Sequence, residues 1–352
     1  MIEQAAWLIQ PIKGNRSKRL FDLPASLVRG ERIAQFRLKI LSEEEMTLGR
    51  FGLRRRDYDF PPFRPPSEAN SLLLRVTRGC PWNRCTFCSM YKGMKFERRE
   101  PEEVLEDISM ARELYSDQVR TVFIGDSNSL VYKTDELVKI LKFLYSSFPH
   151  IERVTSYARA RTIAKKPIED LRKIYEAGLN RLHVGLETGD RELLKEIDKG
   201  ATPEEMIEAG RRAKQAGFEY SLYVLLGIGG EEKWEQHARG TADVLNQIDP
   251  HFIRVRTFVP QPNSELYDAM EEGRFQPASP ETILKETKLL LKELQVTSQF
   301  LSDHISNLVP LHGQLPEEKE EMIHLIDEVL RGLQDDVALR EEMEARRHLT
   351  NL

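Results

Sequence analysis

The sequence predicts an α/β protein, a parallel sheet covered by helices. Strand-like and helix-like segments alternate across six strands between about residues 70 and 260, which is the rhythm of parallel strands joined by crossover helices. The residues that close those strands are polar, acidic or glycine-rich, and in such sheets function gathers at the carboxyl ends of the strands. All three cysteines of the chain, Cys80, Cys85 and Cys88, lie on one loop directly after the first strand.

In order, residues 71–76 read as the first strand. Proline and acids at residues 101–105 open a helix. Residues 119–124 read as the second strand, closed by Gly125-Asp126-Ser127-Asn128, and a helix runs from Thr134 or Asp135 through Leu144. The third strand covers 154–157, with Ala158-Arg159 after it, and a helix spans 167–177. The fourth strand, 181–186, ends at Glu187-Thr188-Gly189-Asp190. Thr202, with Glu205 three residues on, caps a helix over 202–216. The fifth strand, 218–226, closes with Gly227-Ile228-Gly229-Gly230, and helix follows over 231–248. The sixth strand covers 252–259. Ser279 caps a helix over 280–294, residues 296–301 suggest a short last strand, and the acidic stretch from Pro316 through Arg347 reads as helix.

Residues 1–69 form an irregular leader. Residues 33–41 suggest a short helix or strand, Ser42 a helix cap, and Arg54-Arg55-Arg56 a basic cluster. The proline-rich stretch over 60–66 is stiff and reads as packing over the end of the main domain; alternatively, the arginines bind a phosphate-bearing or nucleic-acid substrate. The organisation expected is thus a leader over 1–69, a main domain over 70–300 and a helical extension over 301–352.

With 352 residues, 31% of them charged and 40% hydrophobic, the composition is that of a globular protein. A net charge of −5 gives no overall pull toward nucleic acid, leaving room only for a local basic patch. No run of about 18 apolar residues suggests a membrane span. The apolar piece at the start has no basic residues before it and reads as mature protein. The cytoplasm is the expected compartment, and the odd cysteine count rules out complete internal disulfide pairing.

The cysteines follow a C-x4-C-x2-C spacing. A structural zinc site takes four ligands, and a distant histidine or carboxylate would have to be the fourth. A [4Fe–4S] cluster normally takes four thiolates. Three would leave one iron open to bind a small molecule. In Cys80, Cys85 and Cys88, with Phe87 before the last cysteine, the loop resembles that of the radical SAM enzymes, whose usual spacing is C-x3-C-x2-C. The departure lies in Pro81-Trp82-Asn83-Arg84, one residue longer.

The resemblance covers about residues 70–300 and implies a partial (β/α)6 barrel with the cluster loop after its first strand. It implies a [4Fe–4S] cluster, S-adenosylmethionine, and an external electron donor such as flavodoxin or ferredoxin. It suggests that Gly125, Asp126 and Ser127 hold the methionine ammonium, or else form a turn and cap. Glu187 is expected on the ribose and Arg159 on a carboxylate. Leu225, Gly227 and Ile228 are expected near the adenine, and Phe87 either there or anchoring the loop. For substrate, Arg254 and Arg256 share one strand face and, if inward, suit a carboxylate or phosphate. Tyr157, His183, Tyr223, Asp303 and His304 are further candidates. No thiol remains for an auxiliary cluster, which speaks against methylthiotransferase chemistry. The favoured reading is hydrogen abstraction from a small or medium acidic metabolite. The alternatives are modification of a nucleic acid or protein, or a non-catalytic cofactor-binding protein like the haem chaperones.

Overall fold

The structure, a computed structural model, describes residues 63–346. Expectations for residues 33–41, for the Ser42 cap and for Arg54, Arg55 and Arg56 lie outside the described residues.

The described chain begins with a 3-10 turn, Pro66–Glu68, and strand β1 (Leu72–Arg75). Strands β2 (Thr77–Arg78) and β3 (Glu97–Arg98) pair antiparallel and close the base of the cysteine loop. Then come α1 (Pro101–Tyr115), β4 (Thr121–Gly125), α2 (Thr134–Ser147), β5 (Arg153–Ala158), α3 (Ala160–Lys165), α4 (Ile168–Glu176) and β6 (Leu179–Glu187). They are followed by α5 (Arg191–Glu196), α6 (Pro203–Gln215), β7 (Glu219–Leu226), α7 (Trp234–Ile248), β8 (Phe252–Thr257) and α8 (Glu265–Glu271). The last elements are α9 (Pro280–Glu293), β9 (Gln299–Leu301), β10 (His312–Gln314), α10 (Lys319–Asp335) and α11 (Val337–Arg346).

Strands β1, β4, β5, β6, β7, β8, β9 and β10 form one eight-stranded sheet in that order, parallel except for β10. The six strands read from the sequence are present, the short last strand expected over 296–301 is β9, and β10 extends the sheet one strand further. The stretch from 301 therefore continues the barrel's sheet before turning helical. Its helix breaks at Asp336 into α10 and α11. Helices α3, α5 and α8 were not expected. They span 6, 6 and 7 residues, too short to show an apolar period. The Thr202–Glu205 capping box and the Ser279 cap form as the sequence indicates.

Side chains alternate across the strands. One face carries Val154, Leu182, Val184, Leu222, Val224, Ile253 and Val255 into the main core with helix residues such as Leu171, Ala209, Leu245 and Leu291. The other face points into the barrel, where Phe123, Tyr157, His183 and Tyr223 meet ring to ring at 5.0–6.3 Å. At its amino end the barrel is plugged by Glu68, which is fully buried. Ser71 Oγ donates to Glu68 Oε2 at 2.7 Å, Arg153 Nη2 lies 3.4 Å from its carboxylate, and His183 Nε2 lies 3.5 Å from Oε1. Burial works against the Glu68 charge, yet His183, Ser71 and Arg153 bring its carboxyl down to about 2. Burial holds the His183 imidazole below its ordinary value.

Candidate metal and cofactor centre

The cysteine loop leaves the carboxyl end of β1 and is fastened to the end of β4. Arg75 donates through Nε and Nη2 to Asp126 Oδ1 at 3.1 and 2.9 Å, and through Nη2 to Oδ2 at 2.7 Å, in a buried ion pair. Asp126 Oδ2 also accepts from Gly79 N at 3.0 Å, and Ser127 Oγ donates to Gly79 O at 2.9 Å. Gly79 sits at φ +72°, and a Cβ there would come within 3.2 Å of Lys95 O, so glycine suits this crowded left-handed turn. In this structure Asp126 and Ser127 therefore fasten the loop, and Gly125 O accepts from Val76 N at 2.9 Å as part of the same junction.

Cys80, Cys85 and Cys88 are free thiols, each half-buried. Burial pushes the Cys85 thiol up to about 11; Lys199 opposes this, while Cys88, Glu187 and Cys80 add to it. Cys88 is raised mainly by burial as well. Three thiols close enough to oppose one another's ionisation make a donor set that metal binding would relieve, since a bound cation replaces the protons. Among the described residues no three His, Cys, Asp or Glu side chains are grouped to hold one ion. An iron–sulfur cluster asks for a different arrangement, because each thiolate binds its own iron. On donor chemistry, placement and burial the three cysteines fit such a cluster.

Around the loop stand the residues expected to hold S-adenosylmethionine. Glu187 closes β6 at φ +64° and accepts from Lys199 Nζ at 2.6 Å. Burial disfavours the Lys199 ammonium, but Glu187 outweighs it and holds the group above its ordinary value. Lys199 Nζ also lies 5.8 Å from the centre of the Phe87 ring. Lys199 itself escaped the sequence reading, because it follows a short helix and closes no strand. Phe87 packs with Leu225, Ile228, Leu193, Ile197, Phe258 and Leu266 in a small apolar cluster. Gly227, at φ +80°, donates its N–H to both oxygens of Glu286, at 3.1 and 3.0 Å. Glu286 in turn contacts His237 Nε2 at 2.9 Å, and His237 Nδ1 lies 2.8 Å from Thr188 Oγ1. Arg159, expected on a carboxylate, lies with its guanidinium 5.0 Å from the Trp82 ring and donates through Nη2 to Lys199 O at 3.1 Å. Burial lowers its pKa.

Deeper in the barrel, Tyr223 pairs in register with Arg254 and Leu225 with Arg256, so both arginines lie on the inward face. Arg254 donates through Nη1 to Asp303 Oδ2 at 2.8 Å. Arg256 is half-buried, and burial lowers its pKa, with Tyr157, Glu187 and Tyr223 acting in the other direction. Burial pushes the Tyr157 phenol well above its ordinary value. His304 hydrogen-bonds Ser306 through Nδ1 at 2.8 Å, and burial and Arg256 bring it down to about 4. On the inner face Thr155 Oγ1, His183 Nδ1, Ser221 Oγ, Tyr223 Oη and Arg254 Nε are buried without a hydrogen-bond partner among the described residues.

Residues 74–239 match the Radical SAM superfamily. The chain carries a radical SAM domain. Members of that superfamily use a [4Fe–4S] cluster and S-adenosylmethionine, and the domain includes the cysteine loop and the Glu187–Lys199 pair. Among curated relatives, the "Heme chaperone HemW" of Bacillus subtilis (strain 168) is 24% identical over 157 residues, covering 44% of this chain and 41% of that protein. The "tRNA-2-methylthio-N(6)-dimethylallyladenosine synthase" of Aquifex aeolicus (strain VF5) is 25% identical over 228 residues, covering 63% of this chain and 49% of that protein. The match thus spans less than half the length of either relative. Among solved structures, "methylornithine synthase (PylB)" aligns at 20% identity with a TM-score of 0.45, covering 78% of this chain and 85% of that one. No helix among the described residues is long and apolar enough to cross a membrane.

Proposed function

We propose that this protein binds a [4Fe–4S] cluster through Cys80, Cys85 and Cys88, cleaves S-adenosylmethionine reductively and abstracts hydrogen from a small or medium acidic metabolite. The observation that carries the reading is a loop bearing all three thiols, fastened at the carboxyl end of β1 above an inner face that presents arginine. The bound cluster supplies an electron, received from a donor such as flavodoxin or ferredoxin, that splits S-adenosylmethionine into methionine and a 5′-deoxyadenosyl radical able to take hydrogen from substrate. The chain's own part is binding, orientation and exclusion of water. Glu187, beside Lys199, would accept ribose hydroxyls, while Phe87, Leu225 and Ile228 would offer an apolar surface to the adenine beside the Gly227 backbone. Arg256 supports the acidic substrate: it has no hydrogen-bond or ion-pair partner among the described residues, whereas Arg254 is held by Asp303. Tyr157 and His304 stand near that arginine and are the remaining candidates for contact with substrate.

A second reading, cofactor carriage without turnover, is favoured by the likeness to a protein named a heme chaperone. The test is anaerobic reconstitution with iron and sulfide, then chromatography for 5′-deoxyadenosine after adding S-adenosylmethionine, a strong reductant and a panel of carboxylic and phosphorylated metabolites. Cys85→Ala serves as the control. Product from the native protein alone supports the enzyme. An intact cluster without product across the panel moves the reading to carriage. A chain that takes up no cluster overturns both the metal assignment and the activity.

A further inference from the structure

We propose that Trp82 is a positioning residue that pins the cysteine loop to residues 198–200, so that the three thiols and the Glu187–Lys199 pair are held as one unit. The functional side of this inference rests on the cluster reading above. Trp82 lies in the spacer between Cys80 and Cys85, the stretch that is one residue longer than the usual radical SAM spacing.

The indole is fixed by several independent contacts. Its Nε1–H donates to Asp198 O at 2.6 Å. The guanidinium carbons of Arg84 and Arg159 lie 4.9 and 5.0 Å from ring centroids, within cation–π range. A Cβ on Gly200 would come within 2.4 Å of ring carbons, so the ring rests directly on the backbone there. The two arginines bind the same segment: Arg84 Nε donates to Asp198 Oδ2 at 3.0 Å and Arg159 Nη2 to Lys199 O at 3.1 Å. Three consecutive residues, Asp198, Lys199 and Gly200, are thus gripped by the indole or by the arginines beside it. The middle one carries the ammonium that meets Glu187.

Each contact asks for tryptophan. The cation contacts need an aromatic face, the carbonyl at Asp198 needs an N–H, and the flat approach needs a glycine opposite. Without the indole, a backbone hydrogen bond just before this segment, from Thr86 N to Ile197 O at 3.0 Å, still ties the loop there. The longer spacer is therefore a fastening. Reacting groups need to be held to within about 0.5 Å, and a misplacement of about 1 Å costs about 100-fold in rate.

The test uses full-length wild type, W82A, G200A, the double variant and W82F. Thermal unfolding of the iron-free proteins reads the contact itself. G200A should lower Tm more beside Trp82 than in the W82A background, because the clash disappears with the ring while the φ +71° strain at residue 200 remains. After anaerobic reconstitution, iron per chain and the electron paramagnetic resonance of the reduced cluster are followed as S-adenosylmethionine is titrated. W82A should keep its iron yet need about tenfold more S-adenosylmethionine for the spectral change, and W82F should recover part of the loss. Additive Tm effects, or a W82A titration superposable on wild type, would overturn the pin. If wild type itself takes up no iron, the cluster reading fails along with the positioning role, and the iron-free unfolding data still decide the contact.

Discussion

Glu68 is fully buried, and it stays ionised only because His183, Ser71 and Arg153 face it. Its carboxyl lies at about 2 in the folded chain against an ordinary 4.5. Between those values the unfolded chain holds the proton and the folded chain does not, so stability from Glu68 is fully present above pH 4.5 and is lost as pH falls toward 2. His183 adds to the slope at higher pH. Its folded value lies below the ordinary 6.5, so the unfolded imidazole gains a proton first and stability declines as pH drops past that point. Glu68→Gln should flatten the stability curve between pH 4.5 and 2, and should lower stability at pH 7 by roughly 1–3 kcal/mol through the lost charged hydrogen bonds. Denaturant unfolding across pH measures both, and a variant curve parallel to wild type below pH 4.5 would refute the account. At this scale legibility varied. The cysteines announced themselves by spacing, and Arg254 and Arg256 by their period of two. Glu68 could not be read, because an acid in a proline-rich leader looks solvated until the strands that bury it are in place.

Among elements, the join between β7, α7 and α9 sets the backbone at Gly227 and Ile228. Glu286 is fully buried on α9, accepts from Gly227 N and contacts His237 of α7, whose other ring nitrogen meets Thr188 beyond β6. One carboxylate thus ties two strand ends to two helices on the side of the barrel where the adenine is proposed to bind. Glu286→Ala leaves the buried Gly227 N–H without its acceptor and removes the carboxylate beside His237, and one unsatisfied buried donor costs about 1–3 kcal/mol. The expected outcome is a clear fall in Tm, with Glu286→Gln milder because it keeps an acceptor oxygen. An alanine variant as stable as wild type would show that the junction does not depend on this group. The alternation of strand and helix was legible because each long element shows its period. This junction was not: within a lysine- and leucine-bearing helix, a buried glutamate has the same spelling as a solvated one. The short α3, α5 and α8 were missed because less than two turns shows too little of a period.

For the whole described molecule, the sheet runs from β1 to β10 without those two edges pairing among the described residues. The sequence made the six-strand core and the short last strand β9 legible, but β10 is three residues long, too short to distinguish from loop, and its antiparallel partner is set by tertiary packing alone. Strands β9 and β10 nevertheless cover the edge of β8. Phe300 and Leu301 on β9, Leu311 and Leu315 around β10, and Ile326 and Val329 on α10 are buried, each worth about 1.5–3 kcal/mol if fully removed from water. Truncation after Leu294 should therefore lay open both an apolar face and the unpaired N–H and C=O groups of β8, a template for pairing between chains. The expected result is loss of cooperative unfolding and concentration-dependent aggregation, followed by light scattering and circular dichroism. A truncated chain that stays monomeric and unfolds in one transition near the full-length Tm would show that the stretch after residue 294 is an appendage; the packing of β9, β10 and α10 against the core requires the opposite result.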